Sequence, residues 1–187
     1  GTATRITAMD GEETYPRVSP DGKWIAFSSA QYGNTDIYLM PFNGGKIQRL
    51  TYHSSADQME TWSWDSKTIY FRSSRYNSRS AYALPIDGGT PKRLFEHYFN
   101  WPHNLAIHPN GSIYFNESWE SSNQLARKRY KGAFNPDIKS YNPANGEYKE
   151  HTSHEGKDMW ASIDRNGNLY YVSDQSNGEY NLYAMSN

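Results

Sequence analysis

An all-β fold built from a repeated four-stranded unit is what this sequence predicts, on three observations. A segment pattern recurs four times along the 187 residues. Each recurrence joins turn residues to an aromatic and β-branched run, which is strand chemistry. No stretch sustains helical periodicity. Composition agrees. Mean hydropathy is −0.94, yet aromatic residues make up 16% of the chain, with 16 Tyr and 6 Trp. Disordered chains are poor in aromatics, so a folded β protein with a core of large amphipathic rings is expected.

The four segments are Tyr15-Pro16-Arg17-Val18-Ser19-Pro20-Asp21-Gly22, Glu60-Thr61-Trp62-Ser63-Trp64-Asp65-Ser66, Asn104-Leu105-Ala106-Ile107-His108-Pro109-Asn110-Gly111 and Trp160-Ala161-Ser162-Ile163-Asp164-Arg165-Asn166-Gly167. Their turn residues Asp21, Asp65, Asn110 and Asn166 are 44, 45 and 56 residues apart, the last gap holding an insertion. The turn sets a hairpin from a first strand to a second, such as Ile69-Tyr70-Phe71. A polar loop leads to a third strand, seen in Asp36-Ile37-Tyr38-Leu39, Ala81-Tyr82-Ala83-Leu84, Asp137-Ile138-Lys139 and Asn181-Leu182-Tyr183. Second turns at Asn43-Gly44-Gly45, Asp87-Gly88-Gly89 and Asn145-Gly146-Glu147 lead to fourth strands at Gln48-Arg49-Leu50, Lys92-Arg93-Leu94 and Tyr148-Lys149-Glu150.

Four-stranded repeats of about 40–45 residues are the signature of β-propeller blades. One blade cannot cover both faces of its own sheet, so neighbours must stack. The expected arrangement is a single propeller region over 1–187, with blades at about 15–52, 59–96, 102–153 and 158–187. The last unit stops after its third strand, and Ala3-Thr4-Arg5-Ile6-Thr7 matches a fourth strand. A strand over 3–7 is therefore expected to act as a clasp. Either it closes four blades into a ring, or the chain is an arc of a larger ring. An arc would expose two blade faces and favour homo-oligomers.

Charge and composition exclude several classes of function. Nineteen Lys and Arg against 20 Asp and Glu give a net charge of −1, which argues against nucleic-acid or membrane-surface binding. No apolar run approaches the roughly 20 residues of a membrane span. The absence of Cys excludes disulfides, thiolate metal sites and a cysteine nucleophile. The start, Gly1-Thr2-Ala3-Thr4-Arg5, has neither Met nor an apolar stretch, so no signal peptide is expected and a longer parent is.

Ser19-Pro20-Asp21-Gly22-Lys23-Trp24-Ile25-Ala26-Phe27-Ser28, then Asp36-Ile37-Tyr38, then Arg49-Leu50-Thr51, resembles the TolB-type propeller repeat. Asn34-Thr35-Asp36-Ile37-Tyr38, Arg49-Leu50-Thr51-Tyr52-His53, Phe71-Arg72-Ser73-Ser74-Arg75 and Arg127-Lys128-Arg129-Tyr130-Lys131-Gly132 resemble, in order and spacing, the first propeller of tricorn-type serine peptidases. The resemblance implies a six-bladed propeller, of which four blades are present, followed in the parent by a second propeller, a PDZ-type module and the peptidase domain. It carries no catalytic residue onto this chain. Some members place an arginine pair in the loop that here reads His53-Ser54-Ser55-Ala56-Asp57-Gln58-Met59, which has no basic pair.

Candidate contact residues follow. Arg127, Lys128, Arg129, Tyr130 and Lys131 form the sharpest charge cluster, suited to a peptide carboxylate or an acidic neighbouring domain, or else a solvated loop. First strands line the channel of a propeller, so Arg17, Trp62, His103 and Trp160 are candidates for channel or inter-blade positions, with inter-blade packing favoured for the two Trp. His103 and His108, five apart on an expected strand, should face opposite ways, and no histidine spacing suits a metal. Asp21, Asp65, Asp36 and Asp137 read as periodic turn formers rather than catalytic pairs. No Gly-x-Ser-x-Gly elbow is present. The two Asn-x-Ser triplets at Asn110 and Asn116 are expected by chance.

The expected function is a non-catalytic propeller portion of a tricorn-like peptidase. It would guide peptides and contact sister domains, with no cofactor or metal. The resemblance implies a periplasmic or secreted place, with the cytoplasm as the alternative. A free-standing TolB-like interaction module is the second reading, and a propeller lyase acting on acidic sugars the third.

Overall fold

The structure, a computed structural model, describes residues 1–76, 78–95, 102–118 and 130–186. Every regular element among them is a β-strand. The chain divides into two compact units, Gly1–Arg93 and Leu94–Asn187.

In the first unit, β1 (Glu13–Val18), β2 (Trp24–Ser29), β3 (Asp36–Pro41) and β4 (Gln48–Arg49) make one antiparallel sheet in sequence order. β5 (Asp57–Trp62), β6 (Thr68–Tyr76), β7 (Ser78–Pro85) and β8 (Lys92–Arg93) make a second. The second unit holds a third sheet of β9 (His103–Ile107), β10 (Ile113–Asn116), β11 (Ile138–Asn142) and β12 (Glu147–Glu150). A fourth sheet has three strands, β13 (Asp158–Ile163), β14 (Leu169–Ser176) and β15 (Glu179–Met185). All pairings are antiparallel, the up-and-down order of propeller blades.

The hairpins close as the turn chemistry predicts. Ser19 Oγ donates to Asp21 Oδ1 at 2.6 Å and accepts from Trp24 N–H at 3.0 Å. Ser63 repeats this with Asp65 at 2.5 Å and Thr68 N–H at 3.0 Å. In the third sheet His108 takes the serine's place, its Nδ1 accepting from Asn110 N–H at 3.1 Å. His108 lies just beyond β9, and both it and His103 are buried, so the expected alternation of two strand faces does not arise.

Two expectations are corrected. Residues 3–7 form no strand. The segment is mostly exposed and its bonding is local, with Arg5 Nε donating to Thr7 O at 2.6 Å. Asp36 and Asp137 are not turn formers. Asp36 opens β3 and is buried, while Asp137 immediately precedes β11.

Large apolar side chains fill the seam between consecutive sheets. Ala26, Ile37, Leu39 and Leu50 meet Met59, Trp62, Ile69, Phe71, Tyr82 and Leu84 in the first unit. Ala106 and Ile138 meet Ile163, Leu169 and Tyr171 in the second. A residue such as Phe71, fully buried, contributes on the order of 2–3 kcal/mol by removal from water. Among the described residues no helix is long and apolar enough to cross a membrane.

Candidate functional site

The first strand of every sheet carries one extra residue. Thr14 and Arg17 face Ser28 and Ala26, and Met59 and Thr61 face Phe71 and Tyr70. His103 and Ala106 face Asn116 and Tyr114, and Met159 and Ser162 face Val172 and Tyr170. Three of these bulges hold a non-glycine residue in the left-handed region: Tyr15 at φ 52°, Asn104 at 53° and Trp160 at 58°. Such a bulge re-aims its side chain, and for Tyr and Trp it does so against a steric cost.

The bulges of β5 and β13 are bonded by the preceding sheet. Ser28 Oγ accepts the N–H of Met59 at 2.8 Å. Asn116, at the same register position of the third sheet, accepts the N–H of Trp160 at 3.1 Å. Its Nδ2 also donates to the carbonyls of Asp137 and Asp158, both at 2.9 Å. The first-strand candidates divide accordingly. Trp62 is 5% exposed in the seam, and its Nε1 donates to Arg17 O at 2.9 Å. Arg17 Nε returns a bond to Glu60 O at 2.8 Å. His103 is buried, whereas Trp160 is 40% exposed.

Buried acids form a second layer of the repeat, and the two units treat them differently. In the first unit Arg49 pairs with Asp36 at 2.6 Å, and Thr51 Oγ1 donates to the same carboxylate. The Arg49 guanidinium lies 5.0 Å from the Tyr32 ring and 4.7 Å from that of Tyr52. Arg75 pairs with Asp57 and stacks 5.3 and 5.1 Å from the rings of Phe71 and Tyr82. In the second unit, Lys139 pairs across the ladder with Glu150 as Tyr38 does with Arg49. An acid therefore stands at the arginine's position. Burial, then the neighbouring Asp158 and Glu150, push the Asp137 carboxyl up to about 6, against the pull of Lys139 and Thr152. Lys139 itself is lowered by burial but raised overall by Glu117, 2.9 Å away.

A cavity of about 280 Å³ opens beside the β14–β15 turn, with Lys131, His154, Gly156, Asp174, Gln175 and Asn177 in its wall. Asp174 is 3% exposed. Its Oδ1 accepts the Lys157 N–H at 2.7 Å and lies 3.3 Å from His154 Nε2. Its Oδ2 has no hydrogen-bond partner among the described residues. Gly156 is pressed against this pair, since a Cβ there would collide with both. Lys131 is paired with Glu155 at 2.8 Å. Of the basic cluster, Tyr130 and Lys131 are described, and Arg127, Lys128 and Arg129 lie outside the described residues.

Asp158, Asp174 and Gln175 were not candidates from the sequence. Aligning the repeats by strand register, rather than by their turns, is the signal that exposes them.

Comparison with known proteins places the chain. It is 35% identical over 57 residues to an uncharacterized protein of Agrobacterium fabrum, covering 30% of this chain and 20% of that protein. It is 35% identical over 64 residues to Tricorn protease homolog 1 of Streptomyces coelicolor, covering 34% of this chain and 6% of that protein. The structure of a putative TolB from Agrobacterium tumefaciens superposes with a TM-score of 0.71 at 21% identity, covering 95% of this chain and 64% of that one. At that identity the likeness shows the shared fold, a TolB-like β-propeller. The chain thus spans a small part of its sequence relatives and under two thirds of the structural one. Its whole length, residues 1–187, matches the model of the tricorn protease N-terminal beta propeller domain, and the chain belongs to that family.

Proposed function

We propose that this chain is the non-catalytic propeller portion of a tricorn-like peptidase, where it receives peptides and contacts neighbouring domains of its parent. The family match over 1–187 carries the reading. The re-aimed inner strands support it, because exposed Trp160 and Tyr15 are held there by bulges at a steric cost that packing alone does not require. The basic stretch Arg127, Lys128, Arg129, Tyr130 and Lys131 is the proposed peptide or partner contact. A periplasmic or secreted place, and homo-oligomers through blade faces, belong to the same proposal.

Fluorescence anisotropy with labelled oligopeptides tests it. Binding of peptides longer than a few residues, weakened by replacing Arg127, Lys128 and Arg129 with Ala, is the expected result. Absence of binding to any peptide at millimolar concentration overturns the guiding role.

A further inference from the structure

Gln175 and Arg75 occupy one structural position. Each follows a serine by two residues, and each N–H donates to that serine's Oγ, at 3.2 Å in Gln175 and 3.3 Å in Arg75. The surroundings are conserved between the two sheets. Asp57 faces Ser73 and Asp158 faces Ser173. Phe71 stacks on Tyr82 at 5.6 Å, and Tyr171 stacks on Tyr183 at 5.8 Å. In the second sheet this cradle of one acid and two rings is filled by the Arg75 guanidinium. In the fourth sheet the cradle is kept and the guanidinium is missing.

The acid is left in deficit. Asp158 is 2% exposed, and among the described residues it has no ion-pair partner and its Oδ1 accepts no hydrogen bond. Retaining a buried carboxylate without its cation is costly unless something supplies the charge. Gln175, exposed and beside the Tyr171 hydroxyl, also lines the neighbouring cavity, where Asp174 Oδ2 is a second carboxylate oxygen without a hydrogen-bond partner among the described residues. In the cavity wall Lys131 is matched by Glu155 and His154 stands 3.3 Å from Asp174 Oδ1, so neither is paired with Asp158.

We propose that Asp158, Tyr171 and Tyr183, reached past Gln175 from the Asp174 cavity, form a receptor for the cationic side chain of a peptide arginine or lysine, a reading that rests on the peptide-handling role above. The peptide supplies in trans what Arg75 supplies in cis. A planar guanidinium suits the acid and the ring faces together, and an ammonium suits the acid with weaker ring contact.

Isothermal titration of the chain with N-acetyl-arginine amide, N-acetyl-lysine amide and the neutral isostere N-acetyl-citrulline amide tests the site. At least one cation should bind about tenfold or more tightly than citrulline amide, the arginine and lysine arms deciding which group is preferred. Gln175→Arg should fill the cradle from within, abolish that binding and raise the melting temperature by about 2–4 °C. Gln175→Ala, at the same exposed position, should keep it. Equal binding of citrulline amide, or full cation binding by Gln175→Arg, overturns the proposal. A Gly- and Leu-only peptide that binds while neither cation does overturns this receptor and leaves peptide handling standing.

Discussion

Asn116 Oδ1 accepts the N–H of Trp160 at 3.1 Å, joining the last residue of β10 to the bulge of β13. The same side chain bonds the carbonyls of Asp137 and Asp158, so one amide satisfies three backbone groups at one seam. Asn116→Ala should therefore destabilise the protein by about 2–4 kcal/mol, since each buried backbone group left unpaired costs about 1–3. Asn116→Ser should recover part of this, because Ser28, at the matching register, accepts a backbone N–H of the next sheet at 2.8 Å, that of Met59 just before the bulge. Urea denaturation of both variants measures the difference, and equal losses would remove the hydrogen bond as the cause.

The left-handed bulges make a second comparison. Trp160 at φ 58° sits where Asn104 sits at 53° in the preceding sheet. Asn tolerates that conformation and β-branched residues do not. Trp160→Asn should change stability by no more than about 0.5 kcal/mol, whereas Trp160→Val should cost about 1–2. Trp62→Ala, deep in the seam at 5% exposure, should cost about 3–5 kcal/mol. Thermal melts that ranked Trp160→Val with Trp160→Asn would show that the bulge conformation carries no strain.

Much of this architecture was readable from the sequence. Asp21, Asp65 and their serines announce the hairpins, because an Asp side chain bonds the backbone two residues on whatever surrounds it. The inner-strand bulges were not readable. Tyr15 and Trp160 are strand formers by propensity, and at Trp160 the left-handed residue is bonded by Asn116 of the preceding sheet, a partner 44 residues away in sequence. The acids were misread for a related reason. Asp36 and Asp137 share the periodicity of turn residues, yet their environment is set by a strand 13 residues away, where Arg49 or Glu150 stands. The unfilled cradle at Asp158 needs two registers aligned before Gln175 looks out of place.

Asp137 gives the protein a pH dependence of definite sign. Its carboxyl is raised from an ordinary 3.8 to about 6 in the folded state. The folded protein therefore holds the proton more tightly than the unfolded chain. The stabilisation from protonated Asp137 is present in full below about 4 and is lost as pH rises through about 6. Asp137 is only partly buried, so solvent screening reduces the effect to about 1 kcal/mol. Asp137→Asn should exceed the parent in stability by that amount at pH 7.5 and lose the advantage towards pH 4. A variant equally favoured at both pH values would assign the effect to packing.

The repeat also predicts how to remove that dependence. Arg49 neutralises Asp36 across the third and fourth strands of the first sheet at 2.6 Å, and Glu150 stands at the matching register beside Lys139. Glu150→Arg would replace a repelling charge with an attracting one. Glu150 is exposed, so the substitution meets no packing barrier. It should stabilise the protein by about 1 kcal/mol near neutral pH and flatten the slope between pH 4 and 6. The reverse change tests the same pair from the other side. Arg49→Ala leaves Asp36 buried without its cation and should cost about 3 kcal/mol at neutral pH. Because burial already raises Asp36, that loss should shrink as acidification protonates the stranded carboxylate. Denaturation midpoints of Glu150→Arg and Arg49→Ala at pH 4, 6 and 7.5 should therefore move in opposite directions. Parallel movement would mean that charge at this register does not control the two acids.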